Sequence, residues 1–121
     1  MKKILVVDDM SELRELVAKT LARDDCEVLE AESGEQALGI ARNETPDLIM
    51  MDVMMPGTID GLEATRILKN DPLTKGCRII MLTAKGQATD ISKGLEAGAD
   101  DYFVKPFSPL ELMRKVDEIL G

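Results

Sequence analysis

The chain has 121 residues, 45% of them hydrophobic, enough for one domain that buries roughly two thirds of the surface its unfolded form would expose without a covalent staple. A net charge of −8 with no basic run argues against direct nucleic-acid binding. With no histidine, the chain lacks the usual general base, the commonest zinc ligand and any phosphohistidine of its own, so any histidine it uses belongs to a partner.

The N-terminus, Met1-Lys-Lys-Ile-Leu-Val-Val7, is basic and then apolar, but the run stops at Asp8-Asp9. It is too short for a signal peptide, and no stretch that could cross a membrane follows. Ile4–Val7 reads as a strand, and Leu13, Leu16, Val17 and Leu21 then give a helix one apolar face. Cys26–Ala31 alternates more, with Glu27 and Glu30 interleaved, as in a strand near a sheet edge. Cys26 and Cys77 have no C-x-x-C spacing and read as reduced core thiols of a cytosolic protein.

Ser33 and Gln36 form a capping box that opens a second helix through Ala37, Leu38, Ile40 and Ala41, and Pro46 closes it. Leu48–Met51 has no polar alternation and runs into Asp52, the pattern of a strand buried on both faces with an acid at its tip. Met50 and Met51 fill core, whereas Met54 and Met55 are expected to face the loop that follows. Asp60 and Glu63 start a third helix with Leu62, Ala64, Ile67 and Leu68 inside. Arg78–Leu82 is the fourth strand, ending at Thr83-Ala84-Lys85.

The fourth helix is marked mainly by Ile91 and Leu95, with Gly86 and Gly94 flanking or interrupting it and Gly98 suited to its left-handed end. Tyr102–Val104 is a fifth strand ending at Lys105-Pro106. Ser108, Pro109 and Glu111 then start a last helix with Met113, Val116, Ile119 and Leu120. The period is (βα)₅, one α/β domain over residues 1–121, and such alternation predicts a five-stranded parallel sheet with helices on both faces.

Parallel strands place all their C-terminal tips on one rim, where open α/β sheets bind ligands, so Asp8, Asp9, Asp52, Thr83 and Lys105 converge there. Three close carboxylates must take up protons or hold a cation. An all-oxygen donor set selects a hard ion, and Mg²⁺ fits because it leaves positions for phosphate oxygens. Thr83 and Lys105 add a hydroxyl and a compact positive charge for a phosphoryl group, which makes Asp52 a candidate nucleophile. Taken singly the residues have blander roles: Asp9 as the cap of helix 1 with Glu12, Asp52 as a loop cap, Lys105 as a solvated strand end.

Asp8-Asp9, Asp52 with Met55-Pro56, Asp60-Gly61, Thr83-Ala84, Gly98-Ala-Asp-Asp101 with Tyr102, and Lys105-Pro106-Phe107 together resemble the receiver domain of bacterial response regulators over essentially the whole chain. The resemblance implies a flavodoxin-like doubly wound sheet of order 2-1-3-4-5. It implies that Asp52 accepts a phosphoryl group from the phosphohistidine of a sensor histidine kinase or phosphotransfer protein. Mg²⁺ would be bound by Asp9, Asp52 and the Met54 carbonyl, with Asp8 acting through water. Lys105, before a cis bond to Pro106, would pair with the phosphoryl oxygens; Thr83 would close on them and Tyr102 turn inward, coupling the site to the helix 4–strand 5–helix 5 face. A downstream target or fused output domain and a phosphorylation-dependent dimer are the partners it implies, in the cytoplasm.

The Pro56–Asp60 loop holds one residue more than the family spacing, and a local bulge is expected because extra loop length costs little. Met54 and Lys85, two residues beyond Asp52 and Thr83, offer no acid or amide to orient water, so a persistent aspartyl phosphate is expected. Two other functions compete with a switch that is not an enzyme on a separate substrate. One is a Mg²⁺-dependent phosphatase or phosphotransferase of a small molecule. The other is a flavin or nucleotide module, which Asp8-Asp9 disfavours by repelling phosphate. The chain ends at Gly121 directly after helix 5, so a stand-alone adaptor and a receiver cut from a longer regulator are both expected forms.

Overall fold

The computed structural model describes residues 1–22, 25–84 and 88–120. Strands β1 (Lys2–Val7), β2 (Cys26–Ala31), β3 (Leu48–Asp52), β4 (Arg78–Ala84) and β5 (Asp101–Lys105) alternate with helices α1 (Ser11–Leu21), α2 (Gly34–Glu44), α3 (Gly61–Asn70), α4 (Ala88–Ala97) and α5 (Pro109–Leu120). All strand pairs are parallel, and the order is β2-β1-β3-β4-β5. Every residue of β3 is buried, as its unbroken apolar run requires, while β2 and β5 form the edges. No helix of the described residues is long and apolar enough to cross a membrane.

Because side chains alternate along a strand, each strand feeds two cores. Leu5, Val7, Ile49, Met51, Ile79 and Met81 face the side covered by α2 and α3. Ile4, Val6, Leu48, Met50, Ile80 and Leu82 face α1 and α5, which contribute Val17, Leu21, Leu112 and Val116. Cys26 and Cys77 are both buried. Helix starts follow the sequence signals: Ser33 Oγ accepts the Gln36 amide, Asp60 the Glu63 amide and Ser108 Oγ the Glu111 amide.

Three expectations are corrected, and one core residue is added to those expected. Leu16 is exposed, because the buried stripe of α1 runs through Val17 and Leu21 with Leu13 beside it. Leu95 is exposed too, since α4 lies on the sheet through Gly94 and Ala97; a Cβ on Gly94 would stand 2.9 Å from the Met81 side chain. Met55 turns into the core beside Val53 and only Met54 faces out. Leu112, not singled out in the sequence, is fully buried in α5. Gly98 has a positive φ of 111°, as its place after α4 predicts.

Candidate functional site

The tips of β1, β3, β4 and β5 meet as expected. One oxygen from each of the Asp8, Asp9 and Asp52 carboxylates lies within 4.8 Å of the others, a spacing at which a single hard cation can touch them. Asp8 and Asp52 are buried, and Asp9 is exposed. Lys105 Nζ reaches back across the rim to donate to Asp8 Oδ2 at 2.8 Å and to Asp52 Oδ1 at 3.3 Å. The Lys105–Pro106 bond is cis.

Asp8 is already engaged by protein donors on both carboxylate oxygens. Its Oδ1 accepts the Met10 amide, its Oδ2 accepts Lys105, and its main-chain carbonyl accepts Arg14 from α1. Asp9 does not cap α1: the cap residue is Met10, with no side-chain cap bond, so the blander role for Asp9 falls away. Among the described residues Asp9 carries no hydrogen-bond partner, which leaves its carboxylate available to an ion.

Burial, then the charge of Asp8, pushes the Asp52 carboxyl up from 3.8 to about 6, with Asp9 adding to the rise and Lys105 only partly opposing it. For Lys105, burial works against the ammonium, but the hydrogen bond to Asp8 and the charges of Asp52 and Asp8 outweigh it and hold its pKa above 10.5. One cation thus faces more negative charge than it neutralises, and the site favours a second positive charge. The Thr83 hydroxyl is buried with no hydrogen-bond partner among the described residues, at the end of the strand next to β3. Such an orphan is uncommon and marks a donor available to an oxygen ligand.

A cavity of about 380 Å³ opens beside Asp52, walled by Asp9, Met10, Val53, Met54, Asp90 and Lys105 among others. Met54 is 73% exposed there. Tyr102 on β5 is 39% exposed, so it faces outward here rather than inward behind Thr83. Lys85 lies outside the described residues.

The loop with the extra residue is held by a residue that sequence reasoning missed. Glu35 Oε1, on α2, accepts the Thr58 hydroxyl at 2.8 Å and the Ile59 amide at 2.9 Å, and the Thr58 bond is the main reason its carboxyl titrates below the ordinary value. Gly57 makes the turn with φ 112°, and the Gly61 amide donates to Val53 O, closing the loop at its base. The loop is therefore tied down at its base and near its tip. Glu35→Ala should speed amide exchange at Ile59, while Glu35→Gln, which keeps an acceptor oxygen, should preserve protection; hydrogen-exchange mass spectrometry of residues 53–60 reads this directly. Equal exchange in both variants would show that the clamp does not order the loop.

Comparison with known proteins agrees with this arrangement. A family profile described as response regulator receiver domain matches residues 4–117. The phosphate regulon transcriptional regulatory protein PhoB of Pseudomonas aeruginosa is 49% identical over 119 residues, covering 98% of this chain and 52% of that protein. The transcriptional regulatory protein ResD of Bacillus subtilis is 46% identical over 118 residues, covering 98% and 48%. The chain thus spans about half the length of the curated relatives it matches. Among solved structures, a putative response regulator from Chloroflexus aurantiacus superposes with a TM-score of 0.91 at 41% identity, covering 98% and 97% of the two chains. The chemotaxis response regulator CheY4 of Vibrio cholerae gives 0.90 at 33% identity, with 98% of each chain covered. With its strand order, its rim of acids facing one lysine and these matches over nearly its whole length, the chain belongs to the response regulator receiver domain family.

Proposed function

We propose that this chain is a phosphorylation-controlled signalling switch whose phosphoacceptor is Asp52. The observation that carries it is Lys105 Nζ shared between Asp8 and Asp52 beside a further free carboxylate, Asp9. The donor is the phosphohistidine of a sensor kinase or phosphotransfer protein, since the chain has no histidine itself. The N–P bond of that donor breaks as a bond forms from an Asp52 carboxylate oxygen to phosphorus.

Asp9, Asp52 and the Met54 carbonyl are the groups that would hold Mg²⁺, with Asp8 acting through water; when bound, the ion neutralises the acids and offers positions to phosphoryl oxygens. Lys105 turns from Asp52 to the phosphoryl group, and the orphaned Thr83 hydroxyl donates to it. With Thr83 engaged, Tyr102 leaves its exposed place and turns inward, which alters the face made by α4, β5 and α5. That face then meets a downstream target, a fused output domain or a second phosphorylated copy. Family membership favours this over a phosphatase acting on small molecules. The same reading puts the protein in the cytoplasm, the compartment that the buried, reduced thiols of Cys26 and Cys77 fit.

Incubation with Mg²⁺ and acetyl phosphate should add one phosphoryl group by intact mass, located on Asp52 by peptide mapping. Chelation of the metal or Asp52→Asn should prevent it. An unmodified native protein, or the same adduct on the variant, would overturn the assignment.

A further inference from the structure

The methionines divide by burial. Met50, Met51 and Met81 are sealed in the core and Met55 nearly so, whereas Met10 and Met54 are 54% and 73% exposed. Both exposed side chains wall the cavity that holds Asp52 and Lys105. They come from different elements, Met10 from the start of α1 and Met54 from the loop after β3. Two polarizable thioethers therefore stand in water at the mouth of a charged pocket, where core packing does not call for them.

We propose that Met10 and Met54 form a peroxide-sensitive rim, and that their oxidation to sulfoxides shortens the lifetime of the phosphoryl group on Asp52. The proposal rests on Asp52 being the phosphoacceptor. The oxidant is hydrogen peroxide. A sulfur lone pair attacks one peroxide oxygen; the S–O bond forms as the O–O bond breaks, and the departing hydroxide takes the proton left on the transferred oxygen. Sulfur loses two electrons and the peroxide is reduced to water. The change is reversible by methionine sulfoxide reductases.

The consequence follows from what the rim offers to water. A thioether is a weak acceptor, and a sulfoxide oxygen is a strong one. Among the described residues, the side-chain acceptors now on the cavity wall besides Asp52 are Asp9 and Asp90, next to β1 and on α4. The loop after β3 contributes only Val53 and Met54 to that wall, so a sulfoxide at Met54 places an acceptor two residues from the phosphorylated carboxylate. It can hold a water against phosphorus, and Met10 sulfoxide can do so from the facing element. A gain on the order of fivefold in hydrolysis rate, equal to about 1 kcal/mol of barrier, is what one added hydrogen bond to the attacking water supplies.

The test compares decay of the acetyl-phosphate-generated adduct, followed by intact mass, in untreated and peroxide-treated protein. Peptide mapping should find oxygen on Met10 and Met54 before Met50, Met51 and Met81. Met1, 81% exposed just ahead of β1 at the end of the strands away from the pocket, is an internal control. The treated-to-untreated ratio of decay rates should be about five in the native chain and about one in the Met10→Leu/Met54→Leu double variant, each compared with itself. Methionine sulfoxide reductase should restore the slow rate. A ratio of one with both sulfoxides present overturns the proposal, as does equal acceleration in the double variant or acceleration that the reductase does not reverse. If untreated protein takes no phosphoryl group at all, the reading of Asp52 falls and the rim with it; a normal adduct indifferent to oxidation removes the rim alone.

Discussion

Gly61→Ala is expected to lose about 3 kcal/mol of stability, the upper part of the range for overpacking a closed site. A Cβ at Gly61 would lie 1.9 Å from the carbonyl oxygen of Asp52 and 3.0 Å from the Val53 Cα, and both are backbone that no rotamer change can move. The Gly61 amide is also tied to Val53 O at 3.1 Å, so α3 cannot slide away without breaking that bond. For a domain of this size the loss amounts to roughly 10 °C in melting temperature. The atom struck is the phosphoacceptor's own carbonyl, so slower phosphoryl uptake should accompany the lower melting point. Thermal unfolding by circular dichroism with an intact-mass assay reads both. An unchanged melt would mean that α3 docks on β3 more loosely than this contact requires.

The second large effect is one of pH. Because burial and Asp8 hold the folded Asp52 carboxyl at about 6 against 3.8 in its ordinary setting, the folded chain binds more protons than the unfolded one between those values. Metal-free stability is then full below about 4, falls as pH rises through about 6 and stays lower above, by up to about 3 kcal/mol. Asp52→Asn removes the charge and keeps the shape, while Lys105 keeps its 2.8 Å bond to Asp8. The variant should therefore melt roughly 10 °C above the native chain at pH 7 without metal, and match it near pH 4. A divalent cation should narrow the gap at pH 7 by stabilising the ionised native site. Equal melting at pH 7, or a gap that persists unchanged in acid, would refute this account.

These effects depend on tertiary detail to different degrees, and so does what could be read beforehand. The alternation of strands and helices was legible because a strand covered on both faces is a continuous apolar run, as Leu48–Met51 is, and because caps such as Ser33, Asp60 and Ser108 carry local chemistry. The rim was legible because parallel strands bring their tips together whatever the loop lengths. The seat of α4 was not, since Gly94 and Ala97 pack by being small and leave no hydrophobic signature, which drew attention to Leu95 instead. Leu16 misled in a similar way, being in step with the period of α1 yet turned to solvent. Met55 turned inward because the chain bends sharply after β3, and Glu35 acts across elements, between α2 and a distant loop. Contacts of that kind are set by the assembled fold.

The closed base of the Asp52 loop has a practical use. Val53 O and the Gly61 amide fasten its two ends together, and Glu35 holds Thr58 and Ile59 near its exposed tip, so the loop is fastened at its base and on the Ile59 side of Gly57. The base bond lies apart from the exposed turn at Pro56-Gly57, so a short sensor peptide or fluorophore tag grafted there, ahead of the Glu35 contacts, sits beside the phosphoacceptor without passing through the β3–α3 junction.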